Sequence, residues 1–319
     1  MALLEVEDLA VAIGRLSPLD GISFSVGKGE VLGIVGESGS GKSLAALTVM
    51  GLLGLVGGRV TRGAIRFDGT DLVGLDEAEY RRLRGRRIAL ITQNPMTSLD
   101  PLQRVGAQVD QVARLHLGLG PAAARTRSIE ILDQLRIPRA AVVHGQYPHQ
   151  LSGGMRQRIV IAMALAADPD LIIADEPTTA LDVTIQAQII DLMGELVRAR
   201  GVALVLITHD MGVVAQACDR VVVLYAGRVA ERDRVDAIFA APRHPYTRAL
   251  ISCIPRDGMA RGSLAGIPGM VPSVADYAPG CRFAPRCPQA EARCHAEVPA
   301  ARAIAGRVVA CHLAEAADA

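Results

Sequence analysis

Residues 31–43 read VLGIVGESGSGKS, five apolar residues running without a break into a glycine-rich loop that closes on Lys-Ser. The apolar run predicts a short buried strand, and residues 42 to about 53 predict a helix. Strand, loop and helix in that order are the setting in which G-x-x-x-x-G-K-[ST] is a phosphate loop and not an ordinary turn. Its small residues Gly36, Ser38, Gly39, Ser40 and Gly41 leave backbone N–H groups able to curl around phosphates. Lys42 is expected to reach the β- and γ-phosphates, and Ser43 to ligate Mg²⁺. By itself the loop says only that a nucleotide is bound.

Outward from the loop, strands are predicted at 3–11, 22–26, 65–67, 88–92, 171–174, 203–208 and 221–225, with helices near 184–199 and 211–217. Strands alternating with helices predict an α/β fold in which parallel strands dominate. Between Pro95 and Gly153 the pattern turns helical, with no convincing strand, and reads as a helical insert. After about Pro242 the periodicity fades into a tail containing Pro, Gly and Cys. At 319 residues, two domains are expected.

Composition excludes several classes. The 34 basic and 33 acidic residues nearly balance, so no overall attraction to nucleic acid or anionic lipid is expected. The run RRLRGRR at 81–87 reads as a solvated face. No apolar stretch approaches the ~18–20 residues of a spanning helix, and IVIAMALAA at 159–167 fits a buried helix. MALLEVEDL at the start carries acids where a signal peptide has a basic region, so a cytosolic protein is expected.

Three further clusters carry chemistry. LIIADEP at 171–177 is an apolar strand ending in two acids, which suits Asp175 to Mg²⁺ and Glu176 to the role of general base. Gln93 in ITQNP and His209 in LITHD each follow an apolar strand; alone, neither would mean more than a strand-end residue. QLSGGMRQR at 150–158 opens a helix on small residues, a second anion-binding element in a chain that already has one.

The phosphate loop, Gln93, LSGGM at 151–155, Asp175-Glu176, Ala180-Leu181-Asp182 and His209 stand in an order that resembles the nucleotide-binding domain of ABC transporters, over roughly residues 1–240. The resemblance implies a parallel-sheet core, an antiparallel β subdomain and a helical insert at about 95–158. It implies catalytic roles for Glu176, His209 and Gln93, Mg²⁺ ligation by Ser43, Gln93 and Asp175, and a nucleotide contact for Asp182. It also explains the second cradle. Domains of this family pair head to tail, so Ser152, Gly153 and Gly154 of one chain reach ATP held by its partner.

HQLSGGMRQR at 149–158, ADEPTTALDVTIQAQI at 174–189, RHPYTRAL at 243–250 and GCRFAPRC at 280–287 together resemble the ATPases of dipeptide and oligopeptide importers. That branch also imports nickel, glutathione and opines. The resemblance implies a second ATPase subunit, two membrane permease subunits, an extracytoplasmic solute-binding protein, a peripheral place on the cytoplasmic face of the inner membrane and no nucleic-acid partner. A soluble ABC ATPase of translation is the competing reading, but such chains carry two phosphate loops and this one has a single loop. One departure is that AVAIGRLSPLD at 10–20 lacks the aromatic that usually stacks on adenine, and Ile13 stands in its place.

Residues 241–319 are expected to form a small extension around Cys281, Cys287, Cys294 and Cys311. Five, six and sixteen residues separate these cysteines in turn, without the tight pairs usual for zinc. The looser spacing suits a [4Fe–4S] cluster, which the resemblance also implies, with zinc or free or disulfide-bonded thiols as alternatives. The tail is expected to leave nucleotide binding at a distant phosphate loop untouched.

Overall fold

A computed structural model describes residues 2–93, 95–179, 181–255, 266–304 and 306–314. Its strands are β1 (Ala2–Ile13), β2 (Leu16–Gly27), β3 (Val31–Val35), β4 (Gly58–Phe67), β5 (Thr70–Asp71), β6 (Ile88–Ile91), β7 (Leu171–Asp175), β8 (Ala203–Thr208), β9 (Arg220–Tyr225), β10 (Arg228–Arg234), β11 (Arg302–Ile304) and β12 (Arg307–Val309). The chain divides into two compact units, one of residues 1–27, 31–74 and 207–319, the other of 28–30 and 75–206.

In the first unit β2, β1, β4 and β5 form an antiparallel sheet in that order. Its register sets Leu4 opposite Val26 and Phe67, and Leu9 opposite Ile22, all of them buried. The apolar residues thus share the covered surface, as a half-buried sheet requires. β3 and β9 pair in parallel, Leu32 with Arg220 through Val35 with Val223. All five β3 residues are buried, which is why that run reads as continuous and not alternating. Beyond β9 the strands turn antiparallel, in the order β10, β12, β11. The helix Lys42–Val49 follows β3 and stops earlier than expected, before Gly51 takes a left-handed φ of 64°.

The last third of the chain packs into this unit through buried polar and aromatic groups. Glu231 is fully buried in β10; its carboxylate accepts the backbone N–H groups of Arg243 and His244, each at 2.9 Å, and pairs with Arg307 at 3.2 Å. His244 caps the helix Pro245–Ser252 by accepting the Tyr246 N–H on Nδ1 at 3.0 Å. Tyr246 and Phe283 set their rings 4.6 and 5.1 Å from that of Tyr225 on β9.

The second unit holds β6 and β7 in parallel, with β7 between β6 and β8. The expected insert is helical among its described residues, with Val105–Leu117 and Pro121–Gln134 packed on each other and on Gly153–Leu165. Buried His144 ties it together: Nδ1 accepts from Arg125 at 2.9 Å and Nε2–H donates to Asp110 at 3.0 Å. Among the described residues no helix is long and apolar enough to cross a membrane.

Burial lowers the His244 pKa to about 4 from 6.5, so the fold holds the ring neutral. The unfolded chain takes the proton first. Stability is therefore greatest above about pH 6.5 and falls as the pH drops toward 4. At pH 5 the expected loss is about 2 kcal/mol relative to pH 7.5. His244→Asn, which keeps a capping side chain, should remove that share of the acid sensitivity in thermal melts. Identical pH slopes for the two proteins would contradict this assignment.

Candidate nucleotide-binding and catalytic site

The phosphate loop belongs to the first unit and is shaped by what it excludes. A Cβ on Gly36 would fall 2.2 Å from the Leu224 carbonyl oxygen and 2.7 Å from Ser40 Oγ, so the chain turns there only without a side chain. Gly41 sits at φ 100°, a region glycine enters without steric cost, and precedes the helix Lys42–Val49 with no side chain capping it. The first-turn N–H groups are left to an anion. Lys42, 5% exposed, donates from Nζ to the carbonyls of Gly36 at 2.7 Å and Glu37 at 3.0 Å, which draws the ammonium over the loop. Ser40 is buried, and its carbonyl accepts the Gly227 N–H at 2.9 Å; Ser38, Gly39 and Ser43 are exposed. His209 lies exposed just past β8 and lines, with Glu37, Ser38, Leu250 and Met270, a cavity of about 520 Å³.

The second unit places Gln93 and Glu176 together. Glu176 follows β7 at φ 47°, a left-handed conformation costly for a glutamate and typical of functional sites. Its Oε2 accepts the Gln93 amide and the Thr179 hydroxyl, both at 2.9 Å. Two donors on one oxygen orient the carboxylate. Thr179 was legible only as part of the quoted DEPTT run. Asp175 and Gln93 in this unit, and Ser43 in the first, each carry an oxygen donor of the type Mg²⁺ prefers.

Ser152 caps the helix Gly153–Leu165 by accepting the Met155 N–H at 3.3 Å. A Cβ on Gly154 would come 2.8 Å from Ile185, and one on Gly153 3.3 Å from Leu181, so the glycines let this helix approach the helix Val183–Arg200 closely. Ser152 and Gly153 are exposed. Asp182 caps the second helix, accepting the Ile185 N–H at 2.9 Å. Ala180 lies outside the described residues.

The iron–sulfur expectation is corrected. Among the described residues, no group of three or more His, Cys, Asp or Glu side chains is arranged to hold a metal ion. Cys281, Cys287, Cys294 and Cys311 are free thiols, and burial pushes those of Cys281, Cys287 and Cys311 up. Spacing along the chain does not fix how four donors converge in space. The tail is held by other means, and it is not distant from the phosphate loop. Arg286 donates to both carboxylate oxygens of Glu37, at 2.7 and 3.0 Å. The Glu37 N–H also donates to the Tyr246 hydroxyl at 2.9 Å. Sequence reasoning missed Glu37 and Arg286 as functional residues, since a glutamate in a phosphate loop carries no recognisable signal of a partner more than two hundred positions away.

Fold and residues together define a phosphate-loop ATPase with a second, serine-capped helix that opens on two glycines. The family described as "ABC transporter" matches residues 19–179, and "Oligopeptide/dipeptide transporter, C-terminal region" matches residues 230–294. The chain belongs to the ABC transporter family, as one of its ATP-hydrolysing members. It is 50% identical to the dipeptide transport ATP-binding protein DppD of Escherichia coli, over 98% of this chain and 97% of that one. It is 45% identical to the oligopeptide transport ATP-binding protein AppD of Bacillus subtilis, again over 98% and 97%. Among solved structures, the post-hydrolysis dimer of the ATP-binding cassette MJ0796 with ADP and Pi matches at TM-score 0.64 and 27% identity, over 73% of this chain and 98% of that one. CbiO1 of Clostridium perfringens, part of the transporter complex cbiONQ, matches at 0.66 and 28%, over 75% and 91%.

Gly36→Ala should weaken ATP binding at least about tenfold, since the added methyl must displace the Leu224 carbonyl or open the loop. Titration with a labelled nucleotide checks this, tryptophan being absent from the chain. Wild-type affinity would mean that the loop does not need its close approach to β9.

Proposed function

We propose that this chain is the ATP-hydrolysing subunit of an ABC importer of di- and oligopeptides. What carries the reading is 50% identity across 98% of the chain to a dipeptide transport ATP-binding protein, together with the oligopeptide/dipeptide match at residues 230–294. Residues 1–240 act as the nucleotide-binding domain and 241–319 as its extension.

The phosphate loop, from Gly36 to Ser43, holds the triphosphate. Mg²⁺, when bound, would offset phosphate charge, and Ser43, Asp175 and Gln93 are the residues that would hold it. Glu176 takes the proton of the attacking water, its carboxylate oriented by Gln93 and Thr179. His209 contacts the terminal phosphate. Ser152, Gly153 and Gly154 serve the nucleotide of a second ATPase subunit, so ATP joins the pair and hydrolysis loosens it; Asp182, at the start of the neighbouring helix, contributes a nucleotide contact. Moving such an equilibrium from 1:99 to 99:1 takes about 5.5 kcal/mol. Two sites with charge-assisted contacts of roughly 1.5–3 kcal/mol each are enough.

Two permease subunits take up the motion. A groove of about 470 Å³ in the second unit supports this, because its lining includes Thr92, Thr97 and Ser98 beside Gln93, with Val112 and Met163 giving an apolar floor. A membrane-embedded partner that presses a short helix there would touch Thr92, the residue next to Gln93. A solute-binding protein outside the membrane delivers the peptide, and this chain sits peripherally on the cytoplasmic face of the inner membrane.

Glu176→Gln is expected to keep ATP binding and to lower turnover about 10²–10⁴-fold in the assembled complex. Near wild-type hydrolysis would remove Glu176 from its role. Vesicles carrying the complex should take up labelled di- and oligopeptides with ATP inside and Glu176 intact. Uptake of nickel or an opine in their place would overturn the peptide assignment.

A further inference from the structure

Glu37 is an awkward residue for a phosphate loop. It sets a carboxylate beside the place where the most negative part of the nucleotide binds, and like charges at close range disfavour binding. The structure shows what answers it. Arg286, whose side chain is 6% exposed, grips both carboxylate oxygens at 2.7 and 3.0 Å. The same guanidinium donates to the carbonyls of Ile267, Pro268 and Gly269 and to the Tyr225 hydroxyl at 3.3 Å. Arg286 is therefore fixed by its own surroundings and is no mobile surface charge.

The main chain of Glu37 is held from the same side. Its N–H donates to the hydroxyl of Tyr246, a fully buried ring wedged between Tyr225 and Phe283. Its carbonyl accepts Lys42 Nζ at 3.0 Å. One residue of the loop thus links three groups: a tail arginine, a tail tyrosine and the lysine that meets the phosphates. Gly269, bonded to Arg286, and Glu37 also line the cavity that includes Ser38 and His209.

We propose that Arg286 is a positioning residue for ATP binding: from the tail it neutralises Glu37 and holds its carboxylate away from the phosphates, while Tyr246 holds the backbone whose carbonyl meets Lys42. The extension is then part of the nucleotide site and not an appendage. The inference deepens the phosphate-loop reading and rests on it; the labelled-ATP titration of the wild-type chain tests that reading separately.

The test uses the full chain, titrated with labelled ATP and melted in parallel. Arg286→Gln leaves a bare carboxylate at the loop and should weaken ATP binding about tenfold. The deficit should shrink as salt rises, because screening blunts the Glu37 charge. The double variant Glu37→Gln, Arg286→Gln has no such charge and should return to within about threefold of wild type. Arg286→Lys keeps the charge but not the fork of bonds, and should fall between, about threefold down, with a tail that still folds. A purely structural arginine would behave otherwise: the double variant would bind as poorly as Arg286→Gln, with both melting early, and that result overturns the proposal. So does wild-type affinity in Arg286→Gln and Arg286→Lys. Should Arg286→Gln fail to fold, the double variant and Arg286→Lys decide the matter alone.

Discussion

The chain's chemistry depends on one close approach, Gly36 against the carbonyl oxygen of Leu224. β3 and β9 run in parallel, and the loop leaves the end of β3 directly beneath the end of β9. No side chain fits between them. Everything that follows in the loop inherits this position: Ser40 bonds back to Gly227, and Lys42 folds over Gly36 and Glu37. The two strands supply the rigidity that such a backbone cradle lacks. Each fully buried Val, Leu or Ile side chain contributes roughly 1.5–3 kcal/mol, and the five β3 residues are all buried.

A second constraint sits at Glu176, where a left-handed backbone costs on the order of 1–3 kcal/mol. The bonds from Gln93 and Thr179 hold the carboxylate in one orientation, and Pro177 directly after it limits how the chain can relax. Strain here aims the group. A glycine would satisfy the backbone and lose the carboxylate, so conformational cost and chemical function are fixed at a single position.

How far the fold could be read from sequence follows from which residues build it. β3, β7 and β8 were legible because buried parallel strands are unbroken apolar runs, and the insert was legible because it lacks them. β10, β11 and β12 were not. β10 reads RVAERDR, and its buried Glu231 is stabilised by Arg307, a residue of β12 that also pairs with Asp233 at 3.0 Å. Patterning cannot show a buried charge whose partner is remote in sequence. Within the site, the phosphate loop and the Asp175-Glu176 strand end could be read locally, whereas Gln93 and LSGGM took their meaning from the family resemblance. Glu37 with Arg286 was not legible, for the same reason as Glu231 with Arg307. The cysteines illustrate the converse: four thiols close together in sequence suggested a cluster that their arrangement does not support.

The division of labour between the two basic side chains follows from these positions. Of 34 Lys and Arg residues only Lys28 and Lys42 are lysines. β10 and the tail use arginine where a wholly or partly buried carboxylate and a backbone carbonyl must be met at once: Arg286 on Glu37, Arg307 on Glu231 and Asp233, Arg228 and Arg282 on Asp20. A planar fork with five donors does this, and stays charged even where burial draws Arg282 down to about 10. Burial alone would raise the Asp20 carboxyl, but Arg228 and its neighbours leave it lowered, so the pair stays ionic. Lys42 has the opposite task. It occupies a nearly closed space at 5% exposure, where a guanidinium is too broad, and its compact ammonium can face loop carbonyls and phosphate in turn. Lys42 stands where one small charge must serve the ligand, and these arginines where charge must bind one part of the protein to another.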